Sequence, residues 1–97
     1  MKNSIKMKDM DKDSSVIKLL KNAYEKSEKT YIDIFNETGI AQSFLSRILN
    51  GKHYASLAML VKLGKALEVN PELVAKTWKK DMNAKMDLEI AEILKNT

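Results

Sequence analysis

Cysteine is absent from the chain, which excludes a disulfide framework, a thiolate nucleophile and a cysteine-held zinc or iron–sulfur site. A single histidine, His53, leaves little for transition-metal binding or histidine-based catalysis. No run approaches the roughly 18–20 apolar residues that a membrane span requires. The first eight residues mix lysines with scattered apolar side chains and lack the apolar core of a secretory signal, so a cytoplasmic, soluble chain is expected. No segment brings together a nucleophile, a base and an orienting group, so the sequence does not read as an enzyme. Nothing in it calls for a cofactor or metal. Asp9, Asp11 and Asp13 have the spacing of a calcium loop's first ligands. Ser14 nevertheless stands at its glycine position and Leu20 at its bidentate glutamate position, so the loop is rejected. Proline and glycine are scarce, at one and three, and alternating β-branched runs are missing. Little therefore interrupts helices.

What is present fits that expectation. Hydrophobic residues make up 44% of the 97 and charged residues 31%, the balance of one folded domain rather than a disordered chain. Apolar spacings of three and four dominate, so the fold class is all-α. Residues 1–13 read as a polar arm. Ser14 or Ser15 can cap a first helix with the stripe Val16, Leu19, Leu20, Ala23 and Tyr24. Thr30 caps a second helix, which Gly39 stops. A third runs over 42–49 and ends at Asn50-Gly51, and Ser56 caps a fourth. Asn70-Pro71 opens a fifth, through Leu73, Val74 and Trp78. The stripe Met82, Met86, Ile90, Ile93 and Leu94 marks a last segment. The organisation is thus an arm at 1–13, a domain at 14–80 and a terminal helix at 81–97.

Charge is unevenly placed. Between Glu37 and Glu68 there is no acidic residue, while Arg47, Lys52, Lys62 and Lys65 lie inside that interval. Those four cations equal the formal net charge of +4. A cationic segment in an otherwise balanced chain suits a polyanion, most simply nucleic acid. Arg47 is also the only arginine, and its planar fork makes bidentate contacts that lysine cannot.

The segment from Tyr31 to Asn50 has the spacing of a helix-turn-helix: a short helix, a turn with Gly39 and a second helix packed on the first. Ile34, Ile40, Leu45, Ile48 and Leu49 fall on the inner side. Gln42, Ser43, Ser46, Arg47 and Asn50 are projected outward at spacings of three and four. Glutamine pairs bidentately with adenine and arginine with guanine in the major groove.

On these residues, together with Asn50-Gly51-Lys52 and Leu63-Gly64-Lys65-Ala66-Leu67, the chain resembles the phage-repressor/Cro-like, or Xre-type, helix-turn-helix family. The resemblance implies a compact five-helix lambda-repressor-like domain, here with an additional C-terminal helix. It also implies a dimeric transcriptional regulator on pseudo-palindromic double-stranded DNA. By the same resemblance Gln42, Ser43, Ser46 and Arg47 contact bases, and Thr30, Tyr31, Asn50, Lys52 and His53 approach phosphates. Four positions depart from the family pattern: Tyr31, Phe35, Ala41 and Leu49. Gly64, within the fourth helix, is read as a close packing point that compensates for the bulk of Phe35. Met86, Ile90, Ile93 and Leu94 are assigned to a homodimer interface, with packing back around Trp78 as the alternative. Two other functions share this sequence: an antitoxin whose methionine-rich terminal helix holds a toxin, and a protein–protein adaptor, favoured by Phe35 and Leu49.

Overall fold

The computed structural model describes residues 14–52 and 55–96. The arm read at 1–13, and with it His53 and Tyr54, lies outside the described residues. Among the described residues five helices follow one another: α1 (Ser15–Ser27), α2 (Tyr31–Thr38), α3 (Gln42–Leu49), α4 (Leu57–Ala66) and α5 (Pro71–Lys95). Among the described residues there is no strand, and no helix is long and apolar enough to cross a membrane.

The starts of α1, α2, α4 and α5 are fixed by side chains that accept otherwise orphaned backbone N–H groups. Ser14 Oγ accepts from Ile17, Thr30 Oγ1 from Asp33, Ser56 Oγ from Met59 and Asn70 Oδ1 from Glu72. At α2 the cap is reciprocal, since the Thr30 N–H donates to Asp33 Oδ2 at 2.9 Å. Pro71 at the first turn of α5 loses no bond there.

The apolar stripes meet in one core. Ile17 and Leu20 of α1, Ile34 of α2, Leu45 and Ile48 of α3, Leu60 and Leu63 of α4 and Val74 of α5 are all essentially fully buried. Gly64 explains how closely α4 and α5 approach. A Cβ there would lie 2.8 Å from Val74 Cγ2 and 3.6 Å from Leu20 Cδ2. Phe35, by contrast, is 49% exposed. The glycine therefore makes room for Val74 and Leu20, and the expected compensation for Phe35 is corrected.

The terminal segment is also placed differently from the sequence reading. It continues α5 without a break, because Lys79-Lys80-Asp81 contains neither glycine nor proline. The single 25-residue helix crosses the boundary drawn at 80/81. Trp78 and Met82 still pack against the core. Beyond them Met86, Ile90, Ile93 and Leu94 are exposed, so the segment does not fold back around Trp78. At about 1.5 Å per residue, α5 is roughly 37 Å long, which accounts for the elongated 50 × 25 × 19 Å outline.

Candidate nucleic-acid interface

The turn between α2 and α3 is held by Thr38. Its hydroxyl donates to the Ile34 carbonyl at 2.7 Å and accepts from the Ile40 N–H at 3.1 Å. Gly39 follows at φ +80°, its N–H donating to the Phe35 carbonyl at 2.7 Å. No atom outside its immediate neighbours lies within 4 Å of a Cβ built there. The left-handed backbone, not lack of room, is what selects glycine. Ile40 is then buried as the chain reverses.

This turn delivers α3 with one face committed to the core. Leu45, Ile48 and Leu49 are buried. Their burial leaves Gln42, Ser43 and Arg47 exposed and Ser46 half-buried on the opposite side. Leu49 is 3% exposed, so it is a core residue and does not supply the surface that an adaptor would use. Ala41 provides no side-chain cap to α3. Arg47 makes no ion pair among the described residues. Its fork is available to an external acceptor.

The far end of α3 closes tightly. The Lys52 N–H donates to the Arg47 carbonyl at 2.8 Å and the Gly51 N–H to the Ile48 carbonyl at 3.1 Å, with Gly51 at φ +69°. The Asn50 side chain turns back, its Nδ2 donating to the Ser46 carbonyl at 2.8 Å. Asn50 thus ties off its own helix, whereas Lys52 is exposed just past the turn. His53, the other residue expected near phosphates here, lies outside the described residues.

Thr30 and Tyr31 approach from the side, at the start of α2. Tyr31 stacks on Tyr24 of α1, with ring centroids 5.2 Å apart and planes at 30°. Burial, and then the neighbouring Tyr31, push the Tyr24 hydroxyl above its ordinary value. Tyr31 also shares a surface notch with Gln42, Ser43 and Ser46. The structure therefore places Tyr31 on one notch with the outward residues of α3, eleven to fifteen positions away, a juxtaposition that helical periodicity does not report.

Two supporting side chains had no signal in the sequence. Asp81 of α5 accepts from the N–H groups of Ser15 (3.2 Å) and Val16 (2.9 Å), adding a carboxylate to the start of α1. Lys29, in the turn after α1, ties α2 to α4: it pairs with Glu37 at 2.9 Å and donates to the Ala66 carbonyl. The Asp81 contacts span 65 and 66 residues and the Lys29–Ala66 contact 37, and none of these follows from local spacing. Neither residue faces the outward side of α3. They hold the helices that orient it.

The family comparison agrees with this geometry. A model described as Helix-turn-helix matches residues 20–74, more than half of the chain, from within α1 to the first turn of α5. No curated protein and no solved structure matches.

Proposed function

We propose that this chain, which belongs to the Xre-type, lambda-repressor-like helix-turn-helix family, is a sequence-specific transcriptional repressor that reads a pseudo-palindromic operator as a homodimer. The observation that carries the reading is the outward face of α3. It is short, hydrogen-bonding and cationic, and it sits in the one long interval without a carboxylate. A helix of this kind fits the major groove. Gln42, Ser43, Ser46 and Arg47 are its base-reading side chains, Arg47 toward guanine. Thr30, Asn50 and Lys52 lie toward the backbone, where contacts position the protein without specifying sequence.

One recognition helix reads only a few base pairs, so discrimination among sites calls for two, about one DNA turn (roughly 34 Å) apart and related by a twofold axis. The second half of α5 supplies the axis in this reading. Met86, Ile90, Ile93 and Leu94 lie on one stripe and are exposed. Past Met82 the charges are mixed, with Lys85 and Lys95 against Asp87, Glu89 and Glu92. Two copies of this segment meet with charges of both signs, unlike two copies of the acid-free interval. An exposed apolar stripe of this kind is better covered than left in water.

Selection of duplexes from a randomised library, followed by affinity measurement on the enriched and on random DNA, tests the reading. Enrichment of a two-fold-symmetric duplex is expected. Equal affinity for all duplexes contradicts it.

A further inference from the structure

The notch between α2 and α3 joins two kinds of surface. Tyr31 lines it together with Gln42, Ser43 and Ser46. The ring is not a loose arm. It stacks on Tyr24 and packs against the core from the first residue of α2. A fixed aromatic ring beside amide and hydroxyl groups fits an apolar group that projects next to hydrogen-bonding atoms. On the major-groove edges of unmodified DNA one group answers that description, the C5-methyl of thymine, adjacent to the thymine O4. Gln42 on the same notch has the side chain that pairs bidentately with adenine, thymine's partner.

We infer that Tyr31 is a specificity-determining residue that receives a thymine methyl, so that the first turn of α3 and Tyr31 together select an A·T pair. This rests on the DNA-binding reading above and changes the role of Tyr31. The resemblance implied a phosphate contact, which positions the protein but carries no sequence information. A methyl contact carries sequence information and is insensitive to salt.

The test uses the full chain and its selected duplex, with each thymine replaced in turn by deoxyuridine, which pairs identically but lacks the methyl. At one position per half-site the affinity is expected to fall about fourfold, equivalent to the ~0.8 kcal/mol of one buried methyl-sized group. Tyr31→Phe should keep the thymine–uracil difference and Tyr31→Ser should abolish it. Should Tyr31→Ser fail to fold, Tyr31→Gln also removes the ring, and the uracil scan on the unmodified protein needs no variant. A selected duplex indifferent to every uracil overturns the inference alone. So does a thymine–uracil difference that survives loss of the ring. A chain that enriches no duplex overturns the DNA-binding reading and this inference with it.

Discussion

Helix α3 and the second half of α5 present opposite chemistries. In α3 the apolar side is spent on the core, and what faces outward can form hydrogen bonds or carry charge. Past Met82, α5 has no core to cover, and its apolar residues face outward: Met86, Leu88, Ile90, Ile93 and Leu94 are each about half exposed or more. The first pattern suits a polar, anionic groove, and the second suits another apolar face. Their difference teaches that packing on the core ends near Met82, and the apolar residues beyond it stay exposed.

Substitutions separate the two regions, beginning with the largest expected loss. Leu45→Ala empties a fully buried site and should cost about 2–5 kcal/mol of stability in thermal or denaturant unfolding. The paired change Ile90→Asp with Ile93→Asp should leave the helical core folded by circular dichroism. It should yield a monomer in sedimentation, with operator affinity reduced on the order of 10²-fold through loss of the second half-site. A dimer of unchanged strength would remove α5 from the interface, and capture of a different protein by that face would favour the antitoxin reading. Gly64→Ala gains about 1 kcal/mol of helix propensity but drives a methyl against Val74 at 2.8 Å, an overpacking of about 1–3 kcal/mol. The net loss of about 1 kcal/mol should lower Tm by roughly 4–8 °C; a raised Tm would show that Val74 can move aside. The smallest effect belongs to Lys52→Gln. The slope of log K against log salt should become shallower by roughly 0.9 on every sequence alike, with stability unchanged.

Much of this was legible in the sequence because local chemistry determines it. Ser14, Thr30, Ser56 and Asn70 cap the helices at which they were expected, and α3 spans Gln42–Leu49 as the spacing predicts. The buried positions Ile34, Ile40, Leu45 and Ile48 follow from periodicity. What escaped were relations between elements. Asp81 meets the start of α1 across 65 and 66 residues. Gly64 meets Val74 rather than Phe35. Tyr31 shares a notch with Gln42 and Ser46 only because the turn at Gly39 folds α3 back beside it. Even the unbroken α5 had a local clue, the lack of any breaker in Lys79-Lys80-Asp81, but the change in its stripe's surroundings from core to solvent concealed it.

The most direct measurement is the affinity of Arg47→Ala for the selected duplex and for random DNA at one salt concentration. A base-reading Arg47 predicts a loss of about 1–3 kcal/mol on the selected duplex, relaxed preference at one base pair and a smaller loss on random DNA. Equal losses on both would make Arg47 a backbone contact and contradict the assignment of sequence reading to the outward face of α3.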